Sequence, residues 1–166
     1  MTAKKDHTLT PAMLSDLDRT ADVLNSLIIT CEDGAHGFKT AAEDAKDIEL
    51  KEIFVRYARQ RSEFAELLRA HVRRLGCKPE HAASFTSKLH RGWMNLKSAL
   101  SSNDAHAVLA ECERGEDAAL AAYREALTTS FDEFTLDLVS HQFTLVRQAH
   151  DHIRALRDNP AFATRK

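Results

Sequence analysis

A chain of 166 residues, 43% of them hydrophobic, with 23 Lys and Arg against 25 Asp and Glu, is long enough for one globular domain that closes its own core. A formal net charge of -2 and the lack of long runs of like charge argue against a polyanion partner, so nucleic-acid binding is not expected. Cys31, Cys77 and Cys112 are widely spaced and form no CxxC pair, which speaks against a disulfide framework or a zinc knuckle, and five glycines with three prolines leave few turns between long elements.

The opening residues, Met1 to Thr10, are polar and carry no apolar stretch of signal-peptide or membrane-span type, so residues 1–10 read as a flexible tail and the protein as cytoplasmic. Thr10-Pro11 then starts a helix, with a hydroxyl to cap it and a proline in its first turn. Leu14, Leu17, Leu24, Leu27, Ile28, Cys31, Ala35, Phe38 and Ala42 follow at helical spacing, which predicts a first helix from Pro11 to about Ala45. Asp47 is placed to cap a second helix carrying Leu50, Phe54, Tyr57, Phe64, Leu68 and Leu75, which Gly76 stops. So short a link makes the first two helices antiparallel.

From Cys77 the pattern changes. A shorter helix over about Ser87 to Leu100 precedes the turn Ser101-Ser102-Asn103-Asp104, and Asp104 is placed to cap a third long helix with Val108, Leu109, Cys112, Ala119, Leu120, Tyr123 and Leu127. A break near Thr128 to Phe131 leads to the fourth, which uses Phe134, Leu138, Val146, Ala149, Ile153 and Leu156 and frays beyond Asn159-Pro160. A simple up-down-up-down bundle has no use for the roughly 25 residues between the second and third helices, because bundle connections are usually about 2 to 8 residues long. Two antiparallel hairpins joined by a long crossover is the ferritin-like arrangement. The expected organisation is an all-α, ferritin-like four-helix bundle over residues 11–158, with tails at 1–10 and 159–166.

Between about Leu24 and Arg157 the chain resembles a family of bacterial ferritin-like four-helix proteins that carries an unknown-function label. The residues are Glu32-Asp33-Gly34, Gln60-Arg61, Leu89-His90-Arg91-Gly92-Trp93, Gly115-Glu116-Asp117-Ala118-Ala119 with Tyr123, and Ala149-His150-Asp151. The resemblance implies the fold and a bacterial source. It brings no activity with it.

The residues themselves test whether such a fold carries a di-metal centre. That centre takes a Glu from each of two helices and a Glu-x-x-His pair from each of the other two. No histidine has a Glu three residues before it, and only Asp33-Gly34-Ala35-His36 offers a carboxylate at that spacing, on a face turned from the apolar stripe. Advancing roughly 100° per residue, the polar side chains that do face inward are Cys31, Arg61, Glu116 and Gln142, one per helix and all near mid-height. An isolated charge is costly in an apolar core, so Arg61 and Glu116 are expected to pair. Gln142 is expected to bond to Glu116 or Arg61, with Tyr57 and Tyr123 completing one buried network where a metal would otherwise sit.

The competing expectation uses Glu116 together with Glu32, Glu113 and His150, which lie on the flanks of their stripes, as ligands to iron or manganese. His150-Asp151-His152 reads more simply as solvated surface near a helix C-terminus. Trp93, His90 and Arg91 are expected to pack the crossover onto the bundle. Arg56, Arg59, Arg69, Arg73 and Arg74 read as a solvent face laced with Glu52, Glu63 and Glu66. No phosphate loop, nucleophile elbow or Ser/His/Asp cluster is present. The sequence therefore points to a bundle without catalysis or cofactor, acting through a homodimer or another protein partner. A stress role is an analogy from fold alone. An iron- or manganese-handling oxidoreductase and a carrier of lipid or another small ligand are the alternatives.

Overall fold

The computed structural model of the protein describes residues 10–80 and 95–162. Every regular element among those residues is helical. The four long helices are α1 (Pro11–Asp44), α2 (Ile48–Arg74), α3 (Ala105–Ala126) and α4 (Glu133–Arg157). A short helical segment at 95–101 belongs to the crossover; the earlier part of the helix expected from Ser87, with His90, Arg91 and Trp93, lies outside the described residues, as do 1–9 and 163–166.

Each long helix starts on a side-chain acceptor. Thr10 takes the amide of Met13, Asp47 that of Leu50, Asp104 that of Ala107 and Asp132 that of Thr135, so one otherwise unpaired N–H per helix is satisfied. The end of α2 is a Schellman turn: Gly76 takes φ of +80°, its amide reaches Arg73 O at 3.0 Å, and Cys77 N reaches Val72 O at 3.1 Å. Beyond Asn159 the chain makes a 3-10 turn, Pro160–Phe162, with Phe162 packed against the core.

Core membership gives the topology. One cluster, the lower, joins early α1 (Leu24, Leu27, Ile28), late α2 (Phe64, Leu68, Val72), late α3 (Leu120, Tyr123) and early α4 (Val139, Val146). The other, the upper, joins late α1 (Phe38, Ala41), early α2 (Leu50, Phe54), early α3 (Val108, Leu109) and late α4 (Ala149, Ile153). The helices therefore run up, down, down, up. Because α2 and α3 are parallel, the chain must travel the full height between them, and Leu96 and Ala99 at the end of that crossover join the upper cluster. Asn25 of α1 anchors its start, donating to Lys78 O (3.2 Å) and accepting from Glu80 N (2.8 Å). α1 packs closely on α2 and on α3, and α3 on α4, whereas α2 and α4 approach one another at few points.

Candidate functional site

The two apolar clusters are divided by a polar waist. Arg61 lies at the middle of α2, Glu116 at the middle of α3, and each is 1% exposed. Arg61 Nη2 donates to Glu116 Oε2, and Nη1 donates 2.7 Å to Oε1 of the half-buried Gln60. The guanidinium also lies over the Phe64 ring, 5.6 Å from its centroid. Its stem fits because α1 presents Gly34 opposite: a Cβ there would stand 3.3 Å from Arg61 Cγ and 3.4 Å from Cδ. Burial pushes the Glu116 carboxyl above the ordinary carboxylate range, and the Arg61 charge and hydrogen bond oppose that rise.

A second, separate chain of bonds lies one layer below. Tyr123 donates its hydroxyl proton to Gln142 Oε1 at 2.8 Å, so the Cys31 thiol, 3.1 Å from the Tyr123 hydroxyl oxygen, is the donor to Tyr123. Gln142 Nε2 then donates to the main-chain carbonyl of Phe64 at 3.3 Å. The expected single network is thus corrected: Gln142 bonds to Tyr123 and Phe64, not to Glu116 or Arg61. Tyr57 is corrected as well, since its hydroxyl meets His152 Nδ1 at 2.6 Å and its ring packs on Phe38, 5.4 Å between centroids. Burial pushes Cys31 up to about 11 and Tyr123 well above the usual phenol range, so both are neutral and neither is an activated nucleophile at neutral pH.

The flanking residues also differ from the sequence reading. Arg69, expected among solvent-facing arginines, is 6% exposed and bridges Glu32 of α1 and Glu66 of its own helix. Arg157 holds the buried Glu113 across α3 and α4. His150, expected on solvated surface, is 9% exposed, with Nε2 3.0 Å from Asp117 Oδ1 and Nδ1 3.0 Å from Asp151 Oδ1. His152 is half-buried against Tyr57. Asp33 is half-buried too, and desolvation pushes its carboxyl up to about 6, while His36 is exposed. Neither Arg69 nor His150 lies on the mean apolar direction of its helix; the neighbouring helix covers them.

The matching family model spans residues 19–129. The chain belongs to the family described as Domain of unknown function (DUF2383). Among solved structures it is similar to a Dps1 mutant from Mycobacterium smegmatis, with a TM-score of 0.69, 14% identity, and coverage of 90% of this chain and 100% of that one. At that identity the likeness establishes the ferritin-like fold. A comparison with curated protein sequences finds no match.

A ferritin-like bundle is a scaffold for a di-metal centre, and its donors can be tested one by one. Glu116 is bonded to Arg61, Glu113 to Arg157, Glu32 to Arg69, and His150 to two aspartates. Three of the four candidate ligands are therefore already neutralised by a guanidinium that cannot lose its proton. Among the described residues no group of three or more His, Cys, Asp or Glu side chains is arranged to hold an ion. This arrangement does not fit a metal pair. Nor is any described helix long and apolar enough to cross a membrane.

Proposed function

We propose that this protein is a ferritin-like bundle in which a buried ion pair stands where a di-metal centre would, and that it works without catalysis, through contacts with other proteins or with a second copy of itself. The observation that carries the reading is the Arg61–Glu116 pair at mid-height, each partner 1% exposed. A fixed positive charge there repels the divalent ions that the carboxylate would attract. A role through contacts is supported by large apolar side chains left outside the core on α2 and α4, among them Ile48 at 74% exposed, and Val55, Leu67 and Phe134 at 53%.

Metal analysis tests it. Protein purified without a histidine tag and incubated with ferrous or manganous ion is expected to retain far less than one ion per chain after desalting. Retention of about two ions per chain, lost in Glu116→Ala, would establish the metal-handling reading instead. Light scattering across a dilution series tests the second half: a mass that remains that of one chain, with no partner recovered under crosslinking, would remove the contact role.

A further inference from the structure

The lower end of the loose α2/α4 seam is closed by one relay of side chains. Arg74 Nη2 lies 2.9 Å from His71 Nδ1, His71 Nε2 lies 2.6 Å from Thr135 Oγ1, and Thr135 Oγ1 donates 2.9 Å to Asp132 Oδ2. The chemistry of the ends fixes every proton in between. A guanidinium has only N–H donors, so Nδ1 must present a bare lone pair. The hydroxyl of Thr135 has one proton, which the Asp132 carboxylate takes, so its oxygen accepts from Nε2–H. His71 satisfies both neighbours in one state alone, the neutral Nε2–H tautomer.

We propose that His71 is a proton-operated latch: a proton added at Nδ1 meets the Arg74 guanidinium donor to donor and cation to cation, drives Arg74 off the Phe134 ring of α4, and so loosens the last turn of α2 against the first turn of α4. The ring is 3% exposed, so it cannot turn to water without opening the seam. The groups that face it are Arg74 from α2, and Thr135, the Phe134 ring at 5.1 Å and the Asp132 carboxylate from α4 and its cap. Asp132 would welcome an imidazolium, but it acts through Thr135 while Arg74 is in direct contact. Burial and then the Arg74 charge hold the ring's pKa below the ordinary histidine value. Asp132 is itself kept ionised by the amide and hydroxyl of Thr135, so the acceptor end persists as pH falls. Arg74 also stacks on Phe134, 3.7 Å from its centroid, so its expulsion disturbs one contact within α2 and one between the helices. The bonds from Gln142 to Phe64 O and from Tyr57 to His152 hold the seam higher up, which confines the opening to the lower end.

Amide hydrogen exchange on the full chain at about pH 7.5, 6 and 5, corrected for intrinsic exchange, reads the latch directly. Protection over residues 71–76 and 132–139 is expected to fall up to roughly tenfold per pH unit once the ring titrates, while the level of Cys31 and Gln142 keeps its protection. In His71→Gln, whose amide can donate to Thr135 and accept from Arg74 without titrating, that loss should vanish. In Arg74→Gln the ring loses its cationic neighbour, and the pH of opening and the His71 imidazole pKa read by NMR should both move up. The proposal is overturned if His71→Gln loosens along the same pH curve as the parent, or if His71 in the parent titrates at or above 6.5. Should His71→Gln fail to fold, the Arg74→Gln shift decides: an unmoved imidazole pKa refutes the latch.

Discussion

Replacing Arg61 by Leu tests the electrostatics of the waist. The substitution keeps an apolar stem opposite Gly34 but removes the donor that the structure gives to Glu116, whose carboxylate is 1% exposed. Stranding a buried charge costs about 3 to 5 kcal/mol, a large part of the stability of a domain this size. Glu116→Leu strands the guanidinium instead, and should cost somewhat less, about 2 to 4 kcal/mol, because half-buried Gln60 still accepts from Nη1. The double change removes both charges and leaves two leucines between two apolar clusters, so it should return to within about 2 kcal/mol of the parent, a coupling of at least roughly 3 kcal/mol. Urea denaturation followed by circular dichroism at pH 7.5 and 5.5 measures all four proteins. The pH arm has a definite sign. Without Arg61, burial of Glu116 loses its main opposition and lifts the folded pKa further above 4.5, so the folded state binds more protons than the unfolded one. Arg61→Leu should therefore be less destabilised, relative to the parent, at pH 5.5 than at 7.5. Two single variants within about 0.5 kcal/mol of the parent, or a double variant as unstable as the sum of the singles, would refute a buried, coupled pair.

The helical glycines provide a steric test. Gly37→Ala and Gly115→Ala, where an added Cβ meets nothing within 4 Å, should stabilise by about 0.5 to 1 kcal/mol through helix propensity, whereas Gly34→Ala should gain less or lose, because its Cβ crowds the fixed Arg61 stem. Parent stability should fall with acid. His71 and His152 both have folded pKa values below 6.5, so the unfolded chain binds more protons once the pH drops through that value, and the stability they contribute above it is progressively lost, by up to about 1.4 kcal/mol per pH unit for each. Asp33 works in the opposite sense. Its pKa of about 6 lies above the ordinary 3.8, so ionisation weakens the fold as pH rises through 6, and Asp33→Asn should be more stable than the parent at pH 7.5 and show a steeper acid loss in thermal melts. Thiol titration should find Cys77 reactive in the native protein and Cys31 and Cys112 only after unfolding, since both are buried and burial pushes both thiols up.

The sequence determined the four helices, their caps at Thr10, Asp47 and Asp104, and the stop at Gly76, because these signals are local: an apolar period, an acceptor beside a free amide, a residue that tolerates positive φ. It also showed that Cys31, Arg61, Glu116 and Gln142 point inward, because a helix turns spacing into angle. It missed Arg69, which lies roughly 80° round α2 from Arg61 and so falls outside the apolar stripe. There α1 brings Glu32 against it across the helix pair. The relay from His71 to Thr135 joins residues 64 apart, and no spacing rule connects them. The choice of Tyr123 and the Phe64 carbonyl as partners of Gln142 was likewise decided by tertiary structure alone. A hydrogen bond is made or lost within about 1 Å, whereas helical periodicity places a side chain only to within about a turn, 5.4 Å of rise. The axial shift and separation of neighbouring helices, which the whole core sets together, supply the rest.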